Sequence, residues 1–254
     1  MRLLDARAAT GPGLLQLSLV FLLLAGATGC TQFHGRGIEY QLEHRYAAGD
    51  AAFMRNLGSL VEPGILPSNA VTTLLNGNQI FPAMLEAVRS AQRSICLETY
   101  MYWSGEIGQE FAAALAERAR AGVKVHVVID WIGSRRIDNR LLKQMREAGV
   151  QVERYNPLVW HAVTRINHRD HRKLLIVDGR VGFTGGAGIA DRWQGDARGP
   201  EEWRDSMFKL EGPAVAQMQA AFMDNWIKTN ARVLDGDDYF PALHPAGPFP
   251  AHAY

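Results

Sequence analysis

Between Ser94 and Tyr155 the chain alternates short β-type apolar runs with stretches of helical period: "SICLETYMYW", "GQEFAAALAERARAG", "VKVHVVIDW", "DNRLLKQMREAG" and "VQVERY". This alternation constrains the fold more than any other feature. Strands separated by a helix cannot close as hairpins, so they pair side by side through crossovers, in an α/β architecture with a largely parallel sheet. Upstream, "AVTTLLNGNQIFPAMLEAVRSAQRS" reads as a strand, an Asn76–Gly77 turn and an amphipathic helix from about Gln79. Downstream the pattern changes. "HRKLLIVDGRVGFTGG" reads as two strands around Asp178–Gly179, a hairpin signal. "RDSMFKLEG" adds another strand, and "PAVAQMQAAFMDNWIK" opens a helix with Pro213 at a favourable first-turn position. The expected fold class is therefore α/β, with a mixed β-sheet flanked by helices on both faces.

A chain of 254 residues with 47% hydrophobic content buries a core without disulfide staples. Its net charge of +1 gives no field that would single out nucleic acid, so any anion binding has to come from a local cluster. Two cysteines exclude a disulfide scaffold. Cys96 reads as a small core residue. Cys30 ends an uncharged stretch that follows Arg2 and Arg7, and the boundary "GATGC" has the small residues of an export signal. It resembles a bacterial lipobox, in which Cys30 would be lipidated, with Ala27 where Leu is usual. The other reading is an uncleaved membrane anchor, although the run is shorter than the about 20 residues that span about 30 Å of hydrocarbon. Either way the globular part is expected outside the cytoplasm, attached to a membrane. The expected organisation is an export signal over 1–30, a tether over 31–69 with at most a short helix, the domain over 70–232, and a Pro/Ala-rich tail or linker over 233–254.

The stretch "NHRDHRKLLIVDGRVGFTGG" carries the chemistry. Residues two apart in a strand share a face, which sets His171 beside Lys173. An imidazole beside an ammonium suits attack on phosphorus: the ring forms a covalent phospho-enzyme and the Lys holds the non-bridging oxygens. A leaving alkoxide then needs a proton donor, most naturally a second His. Arg165, Arg169, Arg172 and Lys173 form a basic cluster that would attract a phosphate. Glu98 is unusual in its apolar strand and reads as pocket-lining or paired with an Arg. His161, His168 and His171 lack a nearby Cys or a clear fourth ligand for zinc, so no metal or other cofactor is expected.

His171, Lys173 and Asp178 spell H-x-K-x-x-x-x-D, and the region from Ala70 to Lys228 resembles the phospholipase D superfamily, within it the bacterial cardiolipin synthases. The resemblance implies an α/β/α sandwich, with His171 as active-site His, Lys173 as phosphate-binding Lys and Asp178 completing the motif. Asp178 lies beyond the strand and reads better as a turn carboxylate than as a proton carrier. The resemblance also makes Asp205 in "WRD" the carboxylate that orients the His, and places Gly185 and Gly186 near the phosphate. Two departures stand out. "GGAGIAD" has Gly188 where relatives carry Asn. The chain has one motif where cardiolipin synthases have two, which implies either two copies pairing through His171, as single-motif nucleases do, or an inactive half. The implied substrate is a phospholipid such as phosphatidylglycerol, at a membrane, in preference to nucleic acid.

Overall fold

The structure, a computed structural model, describes residues 47, 50–157 and 168–253. After a helix α1 (Ala51–Leu60) the chain runs β1 (Leu66–Leu75), α2 (Asn76–Ser90), β2 (Ser94–Thr99), α3 (Glu106–Arg120), β3 (Lys124–Asp130), α4 (Asn139–Glu147) and β4 (Gln151–Tyr155). It continues as β5 (Lys173–Val177), β6 (Val181–Gly185), a short 3-10 turn (Asp191–Trp193), β7 (Ser206–Glu211), α5 (Val215–Asn230) and β8 (Phe249–Ala251). The strands form one eight-stranded sheet in the order β4-β3-β2-β5-β6-β7-β1-β8. Only β2, β3 and β4 are parallel; β5 joins β2 antiparallel, and the remaining pairs are antiparallel too. The sheet is mixed because the chain supplies crossover helices between the first set and a tight Asp178–Gly179 turn in the second.

Each face has its own helices. Ile95, Leu97, Val125, Val127, Leu175 and Val177 point to one side, where α2, α3 and α4 close over them with Phe81, Leu85, Phe111 and Leu142. Cys96, Val128, Leu174 and Ile176 point to the other, covered by Met218, Phe222 and Trp226 of α5. Burying each such large side chain stabilises the fold by about 1.5–3 kcal/mol before the loss of chain entropy. β2 is buried along its whole length, as a central strand covered on both faces must be. Cys96 is a free, buried thiol that burial pushes up to about 12. Helix ends follow local rules: the Asp138 side chain accepts from Arg140 N at the start of α4, and Gly122 and Gly149 adopt positive φ just past α3 and α4.

Three local expectations are corrected. Asn76–Gly77 is no free turn, since α2 begins there; Asn76 takes the left-handed φ of 56° and donates its N–H to Asp205 O. A Cβ on Gly77 would lie 1.9 Å from Trp193 O, which explains the glycine. β1 begins at Leu66, inside the stretch read as tether, and the buried Asn69 there accepts the Ala214 N–H at the start of α5. The stretch read as a Pro/Ala-rich tail is part of the domain: Leu234 and Tyr239 are buried, and β8 pairs with β1. Its anchors are spaced irregularly, so no periodic pattern marks it. Among the described residues no helix is long and apolar enough to cross a membrane.

Candidate active site

The C-terminal ends of β2 and β3 meet the start of β5, where Thr99 pairs with Lys173. Lys173 opens β5, and His171 stands just before it, outside the strand expected to hold both. The pair still converges: Lys173 Nζ is 2.9 Å from His171 Nδ1 and 2.6 Å from His171 O. The Lys173 stem is packed beside Met84, Leu97, Thr99, Phe183 and Met207, around a residual void of about 10 Å³. The Tyr100 ring forms a wall, 4.8 Å from the His171 ring and 5.6 Å from Lys173 Nζ, centroid to ring and centroid to nitrogen. Its backbone is pinned by Ser134 Oγ, which donates to Tyr100 O at 3.0 Å, and Gly133 leaves no room for a Cβ beneath it.

Electrostatics suit nucleophilic attack. Burial, and then the Lys173 ammonium, push His171 below its usual range, against the pull of Asp170 and Asp130, so the ring is neutral at pH 7. Burial also lowers Lys173, opposed by the carboxylates of Asp170 and Asp205. An ammonium has donors only, so Nδ1 accepts from Lys173 and the ring proton sits on Nε2.

The other expected site residues are dispersed. Asp178 lies at the far end of β5, about 17 Å along a five-residue strand. There its carboxylate accepts from the backbone N–H groups of Gln92, Arg93 and Ser94, so it is a turn carboxylate and has no contact with His171. Asp205 is close enough to act on Lys173, but it does not orient the imidazole: its carboxylate accepts from Trp193 Nε1 at 2.9 Å and Ser206 N at 2.8 Å. Gly185 and Gly186 are both engaged with the neighbouring strand. Gly185 pairs with Met207 in the sheet, the Gly186 N–H donates to Ser206 O, and a Cβ at 186 would lie 2.3 Å from Asp205 Oδ1. These glycines make room for the neighbouring strand and its carboxylate. Gly188 is wedged between Met101 and Trp193, each 3.0 Å from a hypothetical Cβ, so a longer side chain there needs its neighbours to shift.

Glu98 stands beside the small void next to Lys173 and turns its carboxyl group toward α5. It is fully buried against α5, where Asn225 Nδ2 donates to its Oε1 at 2.6 Å. Arg172 is within electrostatic reach of it, but the side chain that Glu98 meets is a second acid, Asp170. Arg165 and Cys30 lie outside the described residues, as does His161. Among the described residues no three His, Cys, Asp or Glu side chains are grouped to hold a metal ion. Two acids near the site had no signal of spacing to mark them. Asp170 precedes His171 and is nearly enclosed. Asp130 ends β3, accepts from Ile132 N, Gly133 N and Asp170 N, and stands 3.6 Å from Arg169 Nη1.

Residues 84–226 match the family model described as "Cardiolipin synthase, PLD-like domain". The chain belongs to this family. This PLD-like domain is 39% identical over 156 residues to Cardiolipin synthase 1 of Bacillus cereus, covering 61% of the chain and 30% of that relative. It therefore spans about a third of the length of that curated relative. Its fold is that of Nuc from Salmonella typhimurium, a phospholipase D family member, with a TM-score of 0.50 at 16% identity over 66% of this chain and 99% of Nuc. It matches the phosphatidylserine synthase of Haemophilus influenzae at a TM-score of 0.50 and 17% identity, over 76% of this chain and 43% of that one.

Proposed function

We propose that this domain transfers a phosphatidyl group in the manner of a cardiolipin synthase, through a phosphohistidine on His171. The observation that carries the reading is the pairing of a neutral imidazole with Lys173 Nζ at 2.9 Å, at the open end of the parallel strands. A phosphodiester anion draws the ammonium of Lys173 onto its non-bridging oxygens and off Nδ1, which frees Nδ1 to carry the ring proton and Nε2 to attack. The N–P bond forms as the P–O bond to the departing glycerol breaks, and that alkoxide takes a proton from a second histidine held in its imidazolium form beside the bound phosphate. With one motif in the chain, His171 of a second copy in a twofold pair is the donor this reading supplies. An acceptor hydroxyl then displaces His171: phosphatidylglycerol yields cardiolipin, and water yields phosphatidic acid. Attachment to a membrane through Cys30, with the domain outside the cytoplasm, would bring the site to its lipid.

The test is the full-length protein in phosphatidylglycerol vesicles. Samples denatured in neutral detergent and analysed by mass spectrometry should carry an acid-labile phosphatidyl adduct on His171, and His171→Ala should abolish both adduct and product. Full turnover in His171→Ala would refute the mechanism. Cleavage of plasmid DNA with no action on lipid would replace it with the second reading, a homodimeric nuclease. A strict monomer inert on both substrates would mark the chain as an inactive half. Radiolabelled palmitate incorporation that survives Cys30→Ala would remove the lipid anchor from the proposal.

A further inference from the structure

Asp170, next to His171 in the chain, meets Glu98 of β2, and the transfer chemistry leaves both acids unused. Glu98 is enclosed between β2 and α5, with Oε1 accepting from Asn225. Asp170 is 4% exposed; its Oδ1 accepts from Arg172 N at 3.1 Å, and its own N–H donates to Asp130 Oδ2. The remaining oxygens, Glu98 Oε2 and Asp170 Oδ2, are both buried and have no donor among the described residues. The two carboxyl groups are nevertheless within hydrogen-bonding reach of each other. Two ionised carboxylates are acceptors only, so they would repel at that separation and leave two orphan oxygens. One proton between them satisfies both oxygens at once.

The surrounding charges do not remove that need. Arg169 pairs with Asp130, and Arg172 is shared with Asp224 of α5, which also holds Lys228. On the same face, His126 of β3 is pushed by burial down to about 4 and is neutral, while Cys96 of β2 stays a thiol. Asn225 and Gln219 of α5 carry no charge. His171 and Lys173 lie on the far side of Asp170, paired with each other. Burial, reinforced by Asp170, pushes Glu98 up to about 9.

We propose that Glu98 and Asp170 share a single proton, and that this bridge positions His171 by tying its segment to β2 and α5. Asp170 and the Arg172 N–H close a short turn around His171, so a displaced Asp170 moves the imidazole relative to Lys173. Loss of the proton at alkaline pH sets two carboxylates against each other and loosens that turn. The catalytic half of the inference rests on the phosphohistidine reading; the shared proton does not.

The experiment uses the full chain. Infrared spectra should show a protonated carboxyl band at neutral pH that shifts on 13C-glutamate labelling, fades above about pH 9, and is absent from Glu98→Gln. No such band in the wild type, or one that survives in Glu98→Gln, overturns the shared proton. The stability that this bridge adds is full below the ordinary Glu value of 4.5 and is lost as pH rises through about 9. The melting temperature of Glu98→Gln, whose amide keeps a donor toward Asp170, should therefore gain on the wild type across that interval, and a constant difference counts against the bridge. For activity, wild-type kcat should fall about tenfold per pH unit on the alkaline side. In Glu98→Gln that limb should move upward, while Glu98→Ala lowers kcat at every pH. An alkaline limb identical in wild type and Glu98→Gln overturns the positioning role and assigns the limb to Lys173. A correct band in a protein that turns over neither lipid nor DNA leaves the shared proton standing and sinks the proposed function instead.

Discussion

Replacing Asp178 by Ala tests whether the third member of the motif serves chemistry or architecture. Its carboxylate receives three backbone N–H groups, from Gln92 at 3.0 Å, Arg93 at 2.7 Å and Ser94 at 2.9 Å, which hold the entry to β2 against the end of β5. Hydrogen bonds to a charged group contribute about 1.5–3 kcal/mol each when well shielded. Asp178 is only half-buried, and water recovers part of each bond, so about 2–3 kcal/mol in all is the better figure. The residue also sits at a φ of 53°, a left-handed conformation that Asp tolerates better than Ala, which adds up to about 1 kcal/mol. A loss of about 3 kcal/mol lowers the melting temperature of a domain this size by about 6–12 °C. Asp178→Asn should lose about half as much, because it keeps one acceptor oxygen and the left-handed tolerance. The assay is thermal melting followed by circular dichroism, with turnover measured well below the transition. Folded Asp178→Ala should retain kcat within about threefold, since no contact links it to His171. An unchanged melting temperature, or a loss of kcat beyond about a hundredfold in folded protein, would refute the architectural role.

The remaining outcomes concern the site and its supports. The His171 ring, followed by NMR, should titrate below the ordinary value of 6.5, and Lys173→Met should raise that midpoint by removing the neighbouring ammonium; activity that needs the neutral ring is then lost only as pH falls through this lowered value. A midpoint that stays put in Lys173→Met would show that the ammonium is not near the ring. Gly186→Ala forces a Cβ onto Asp205 Oδ1 and should cost about 1–3 kcal/mol in urea unfolding, with a change in Trp193 fluorescence as its indole N–H loses the carboxylate. Ending the chain at residue 232 removes Leu234 and Tyr239 from the core and leaves His126 Nε2 without the Tyr239 hydroxyl at 2.8 Å. The urea midpoint should fall by the equivalent of at least about 3 kcal/mol; an unchanged midpoint would restore the reading of a dispensable tail.

The parts of the fold that were legible before folding share one property: their cause is local. The strand–helix alternation from Ser94 to Tyr155, the Asp178–Gly179 turn and the helix after Pro213 all follow from side-chain period or backbone preference within a few residues. The nearness of His171 and Lys173 was legible for the same reason, although the ring proved to precede the strand. Tyr239 and β8 were not, because a Pro-rich segment held by a few side chains carries no period for an eye to follow. The packing of the two glycines after the motif was not legible either, because only the paired strand β7 shows what their missing side chains make room for.

What the sequence by itself determined is the placing of an imidazole beside an ammonium, on which the proposed chemistry rests, and the α/β pattern of elements that carries them. Only the tertiary structure decided how those groups are held. Glu98 and Asp170 are 72 positions apart, and Glu98 and Asn225 are 127 apart. Neither period nor propensity reaches that far. Their meeting depends on β5 adding to β2 in the antiparallel sense and on α5 closing over that face, and the protonation of a buried acid depends on what surrounds it after the chain has packed.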